Sequence, residues 1–117
     1  MTYWHSEWQS NFPDTEKWFR NQYNQIKDRR ADVLIDEFNR IIEIQHSPIE
    51  QQEVNNRNKD YSLHNKDVMW LIDSQNSVVI KKLGDRTILE FVSNRWLYES
   101  FKDCEYVYYD ILSLIHI

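Results

Sequence analysis

"RRADVLIDEFNRIIEIQHSP", residues 29–48, is the stretch on which the fold turns. "RADVLI" and "RIIEIQH" are rich in β-branched residues, and "DEFN" between them suits a hairpin turn. A symmetric turn over "DEFN", of two or four residues, sets a register in which Ile35 faces Arg40, Val33 faces Ile42 and Asp32 faces Glu43. Side chains alternate along a strand, so Glu43 and Gln45 share a face with Asp32, while Val33, Ile42 and Ile44 point to the other. One polar and one apolar face are predicted. Like charges directly opposite in a sheet cost roughly 0.2–1 kcal/mol. Two facing acids therefore call for compensation, and a bound cation provides it.

Working outward, Ser47, Pro48 and Glu50 stand at the N-cap, N1 and N3 positions of a capping box, which predicts a helix from about Pro48 to about Leu63. Upstream, Trp4, Trp8 and Phe12 recur at helical spacing and predict a short amphipathic helix ending at Pro13. "TEKWFRNQY" leans to a strand. Downstream, "DVMWLID" reads as a buried strand, "SVVIKKL" and "RTILEFV" as two more, "NRWLYESF" as a helix and "EYVYYDI" as a last strand. The order helix, three strands, helix, strand predicts an α/β or α+β fold. Gly84, in "KLGDR", is the one loop glycine.

The chain has 117 residues, 41% hydrophobic and 15% aromatic with 28% charged, which suits one globular domain with a packed core. Its net charge of −5 gives no global basic field, so any phosphate-binding surface must be local. The single cysteine, Cys104, excludes an internal disulfide and a cysteine metal cluster, and it fits a reducing compartment. "MTYWHSEWQS" lacks the pattern of a signal peptide, and no run approaches the roughly 18 apolar residues of a membrane helix. A soluble, cytoplasmic protein with no membrane partner is expected. Residues 1–111 are read as one domain. The last six, "LSLIHI", match the translation of a transposon-end adapter used in sequencing libraries, so Leu112–Ile117 are expected to be read-through, with an apolar strand as the alternative.

Magnesium is held through one or two carboxylates plus waters and phosphate oxygens, at about 2.0–2.1 Å. In phosphodiester hydrolysis it polarises the phosphoryl group and activates a water. Asp32 and Glu43, with Gln45 two residues on, are therefore a candidate metal-dependent nuclease site.

"WHSEWQSNFP", "RRADVLI", "IIEIQHSPI", "EVNNRNKDY" and "VMWLID", in this order over roughly residues 4–75, resemble the competence-protein CoiA-like branch of the PD-(D/E)xK nuclease superfamily. The resemblance implies a mixed central sheet flanked by helices, a restriction-endonuclease-like core in the order αβββαβ. It also implies DNA as substrate and Mg²⁺, with Mn²⁺ as alternative, as cofactor. Asp32 and Glu43 correspond to the metal-binding acids, the backbone carbonyl of Ile44 to a further ligand, and Gln45 to the superfamily's usual lysine. Arg29 stands where the branch often has His, and Glu7 is placed to supply an acid from the first helix.

Second-tier candidates are His5, Arg57 and Tyr61. Arg57 shares a helical stripe with Val54 and Tyr61 facing the sheet, where it reaches a phosphate or pairs with the site acids. A structural salt bridge, or for His5 a packed surface position, fits these residues equally. His46 alternates away from Gln45 and reads as structural. Two functions stay open: an Mg²⁺-dependent DNA nuclease, or a catalytically degenerate module that binds DNA or a competence protein. The second is favoured by Gln45, whose neutral amide cannot offset negative charge as an ammonium does. A purely structural domain is a weaker third.

Overall fold

The computed structural model describes residues 2–20, 28–74, 77–91 and 96–111. Its elements run α1 (Tyr3–Gln9), β1 (Thr15–Phe19), β2 (Arg29–Ile35), β3 (Arg40–Gln45), α2 (Gln51–Ser62), β4 (Asp67–Asp73), β5 (Val78–Leu83), β6 (Arg86–Phe91), α3 (Trp96–Glu99) and β7 (Tyr106–Asp110). β2 and β3 pair antiparallel in the expected register, Val33 with Ile42 and Ile35 with Arg40. "DEFN" folds as a single 3-10 turn, Asp36–Phe38, closed by Asn39 in the left-handed conformation that asparagine tolerates (φ 51°).

β1 extends the hairpin antiparallel on its outer side, while β4 lies parallel to β3 and β7 parallel to β4. The result is a mixed five-stranded sheet in the order β1-β2-β3-β4-β7, flanked by helices: an α+β fold. β5 and β6 form a separate two-stranded hairpin around Gly84, whose φ of +64° favours glycine. No described helix is long and apolar enough to cross a membrane. The adapter expectation for Leu112–Ile117 lies outside the described residues, as do positions 21–23, 92 and 94–95 of three predicted elements.

Two expectations change. The helix after β3 begins at Gln51, with Glu50 as an N-cap that makes no side-chain bond. Ser47, Pro48 and Ile49 stay outside it, with a local contact on Ser47 and tertiary contacts on Ile49. The Ser47 carbonyl accepts from Gln45 Nε2, the Ile49 carbonyl accepts from Ser100 Oγ, and Ile49 packs against the core. The second change concerns the hairpin's polar face. Val33, Ile42 and Ile44 do pack with Trp4 and Leu71 under α1, as predicted. The opposite face is buried too: Ile41 and Ala31 pack with Trp70, Val54 and Tyr61 under α2. Each such aliphatic residue stabilises the fold by about 1.5–3 kcal/mol when fully buried, and that gain is what allows a carboxyl, Glu43, to be enclosed among them.

Candidate functional site

At Asp32 the hairpin comes apart. Ala31 belongs to the α2-side core and Val33 to the α1-side core, although residues two apart on a regular strand face the same way. The strand therefore changes face at Asp32. The backbone ladder runs from Ile35–Arg40 to Val33–Ile42. At the next position the two acids take over. Ile44 N donates to Asp32 Oδ2 at 2.8 Å, and Asp32 N donates to Glu43 Oε2 at 3.3 Å. Each carboxyl thus accepts an amide from the strand opposite, and the fork holds both side chains together.

Glu43 is enclosed. Tyr61 Oη donates to its Oε1 at 3.0 Å, and Arg57 Nη1 lies 3.7 Å from the same oxygen. Burial, with Asp32 beside it, pushes the Glu43 pKa up to about 8. Burial also raises Asp32, against the pull of the Ile44 amide and of His5. Burial and the neighbouring Glu43 likewise raise the Tyr61 phenol, which stays a neutral donor. Both carboxyls are thus pushed toward the protonated form, Glu43 by near-complete burial and Asp32 by partial burial.

On the α1 side, His5 Nε2 is buried 3.3 Å from Asp32 Oδ1, outside hydrogen-bond geometry. Gln9 Nε2 donates to Glu16 Oε1 at 3.1 Å and to the Asp32 carbonyl at 3.0 Å. Glu16 is held inward by a left-handed backbone (φ 54°), unusual for glutamate, and its Oε2 lies 2.9 Å from Arg30 Nε. One ligand atom each from His5, Glu16 and Asp32 lies within 4.8 Å of the others. One imidazole and two carboxyls, gathered beside Glu43, are a donor set that fits a divalent cation of the Mg²⁺ or Mn²⁺ kind.

The predicted residues divide between two adjoining cavities. Asp32, Ile44, Gln45, His5 and Arg57 line one of about 300 Å³, joined by His46. Glu43, Tyr61 and Arg57 line the other, of about 370 Å³, so Arg57 borders both. Gln45 turns its amide nitrogen to the Ser47 carbonyl at 2.7 Å. His46, read as structural, sits 3.0 Å from Asp73 Oδ2 and packs beside Trp4, at the rim of the first cavity. Arg29 makes ion pairs with Asp60 and Glu53.

Glu7 does not join the site. It is exposed on α1, lines neither cavity, and its carbonyl accepts from Ser10 and Asn11. Gln9 and Glu16 come to Asp32 instead. Gln9 was legible as the residue four after His5, on one helix face. Glu16 was not, since its approach depends on how β1 pairs with β2 across a long connection. A larger cavity, about 510 Å³, lies near Pro48, Ile49 and Trp96 and contains none of these groups.

Comparison with protein families matches residues 13–111 to the nuclease-like domain of competence protein CoiA. Comparisons with curated proteins and with solved structures give none.

Proposed function

The chain belongs to the family of the competence protein CoiA nuclease-like domain, and from that premise we propose that it is a divalent-cation-dependent nuclease that cleaves DNA phosphodiester bonds. The observation that carries this reading is the Glu43 carboxyl, 4% exposed and locked beside Asp32 by the crossed amide hydrogen bonds of Asp32 and Ile44. Burying two adjacent acids is costly unless a charge arrives to balance them. Asp32 and Glu43 would hold the ion, with the Ile44 carbonyl as a further ligand and His5 and Glu16 within reach of Asp32. Bound there, a divalent cation supplies Lewis acidity toward a phosphodiester and lowers the pKa of a coordinated water. The imidazole of His5 favours Mn²⁺ relative to Mg²⁺.

The remaining roles fall to this chain's own side chains. Gln45 borders the cavity that contains Asp32, and its amide orients a water by hydrogen bonding. It cannot neutralise charge. Arg57, at the border of both cavities and 3.7 Å from Glu43, supplies the positive charge that the superfamily usually takes from a lysine. Tyr61 fixes the Glu43 carboxyl.

The test is plasmid and oligonucleotide cleavage with Mg²⁺ or Mn²⁺, set beside the thermal shift each ion produces. Wild type should cut and be stabilised by the ion, and Asp32→Asn with Glu43→Gln should lose both. A double variant that responds to metal as wild type does would sink the reading. The second reading, a degenerate DNA-binding module, is favoured by Gln45: Gln45→Lys restores cutting if charge is all that is missing, and leaves a module that has lost more than that inert.

A further inference from the structure

β1 is an outer strand of the five-stranded sheet, and its Trp18 is 51% exposed. Two guanidinium groups lie over its ring. Arg20 lies 4.3 Å from the ring centroid, and Arg30, its cross-strand partner, lies 5.8 Å away. Trp18 also borders the cavity of about 370 Å³ that Asp28, Arg29, Arg30, Arg57, Tyr61 and Glu43 line. Three guanidinium groups thus gather around one cavity on a chain of net charge −5, each with a carboxylate beside it: Arg29 with Glu53 and Asp60, Arg30 with Glu16, and Arg57 with Glu53. Trp18 and Glu43 border the same cavity, and Arg57 borders both it and the cavity of Asp32 and Gln45.

An exposed aromatic face with guanidinium groups beside it is how proteins hold unpaired nucleotides, with a base stacked on the ring and phosphates on the cations. A base inside a duplex is already stacked on both faces, so an unpaired one has the free face that Trp18 needs. We propose that Trp18 is a stacking platform for an unpaired base of single-stranded DNA, with Arg30 and Arg57 taking the phosphates between it and Asp32–Glu43. The identity of the polymer rests on the nuclease reading above; the platform itself rests on Trp18 and its arginines. Arg20 and Arg30 are now held by Asp28 at 3.1 Å and Glu16 at 2.9 Å. Ion pairs this exposed are weak, and phosphates compete for them.

The experiment measures anisotropy of a labelled oligothymidylate and of a blunt duplex of equal length, in EDTA so that nothing is cut. It uses the full chain as wild type, Trp18→Ala, Trp18→Phe and Arg30→Gln. Wild type should prefer the single strand. Trp18→Ala should weaken single-strand binding about tenfold and leave duplex binding within about twofold, while Trp18→Phe retains most of it. Arg30→Gln should lower the salt slope of single-strand binding by about one, a readout that holds even if Trp18→Ala fails to fold. Unchanged single-strand affinity in a folded Trp18→Ala, equal losses on both DNAs, or no single-strand preference in wild type overturns the platform. The metal-induced thermal shift keeps the two readings apart. A shift abolished by Asp32→Asn, with no role for Trp18, leaves the acid pair standing and removes the platform. Trp18-dependent binding without any metal response does the reverse.

Discussion

Asp32 and Glu43 are neighbours across one strand pair, yet the two sides of the fork treat them differently. Asp32 faces α1: its side chain is 19% exposed, it takes the Ile44 amide, and His5 and Glu16 stand beside it. Glu43 faces α2, 4% exposed, between the Tyr61 hydroxyl and the Arg57 guanidinium. Asp32 therefore has access to ions and water, whereas Glu43 is held as an acid until something displaces its proton. Two carboxyls in unequal surroundings, one open and one enclosed, suit a site in which one ligates readily and the other responds to the arrival of charge.

The largest effect expected from this asymmetry is on activity. Asp32→Asn should lower metal-dependent cleavage by a hundredfold or more, because the open ligand is lost. Glu43→Gln should abolish cleavage as well, but its effect on stability separates the two sides. The amide still accepts from Tyr61 and replaces an acid that is protonated in the ion-free protein, so ion-free stability should hold or rise. Asp32→Ala instead leaves the Ile44 amide unsatisfied and should cost about 1–3 kcal/mol. Urea denaturation in EDTA measures both, and equal destabilisation by the two changes would break the comparison.

Next in size is the pH dependence. The folded-state pKa of Glu43 is raised from 4.5 to about 8, so between those values the native protein retains a proton that the unfolded chain has released. Its stability is thus fully present at the acid end of that window and falls as pH rises through it, by on the order of a few kcal/mol. Asp32, also raised, adds in the same direction. Glu43→Gln should flatten most of the slope. With Mn²⁺ or Mg²⁺ the dependence turns round, since the ion displaces the proton and its affinity climbs with pH. Thermal melts across this range, with and without ion, will show it, and stability that rises with pH in EDTA would contradict the placement of Glu43.

A smaller and purely kinetic effect belongs to Gln45. Gln45→Ala should lower the cleavage rate about tenfold while changing DNA affinity little, because orienting a water matters most in the transition state. An equal loss in binding would instead make Gln45 a DNA contact.

Much of this was legible in residues 29–48. The hairpin, its register and the flanking strands follow from β-branched runs around a polar turn, and Asp32 with Glu43 follows from the register. What a strand pattern could not reveal is the break at Asp32, because alternation assumes a regular strand. The burial of Glu43 was hidden for a related reason: one face of the hairpin looked polar only because α2 was not yet in place over Ile41 and Ala31. The capping box at Ser47 was a true local preference, overridden when the Ser47 and Ile49 carbonyls found partners elsewhere. Trp18 reads in sequence like any core aromatic; only its position on an outer strand makes it a surface.

The smallest effect tests the α1 side alone. His5 and Glu16 approach Asp32, whereas Glu7, expected to supply an acid from the first helix, is exposed. His5→Gln and Glu16→Gln should each weaken ion affinity by a few-fold to tenfold, as loss of an outer ligand or of its charge does, and Glu7→Gln should leave it unchanged. Calorimetric titration with Mn²⁺ distinguishes them. Glu16→Gln also frees Arg30, so its stability must be read in EDTA first; an exposed pair of this kind is worth about 0–1 kcal/mol, too little to mimic a lost ligand. If Glu7→Gln weakens the ion while His5→Gln and Glu16→Gln do not, α1 contributes through a different face, and the open side of the fork is not where Asp32 now points.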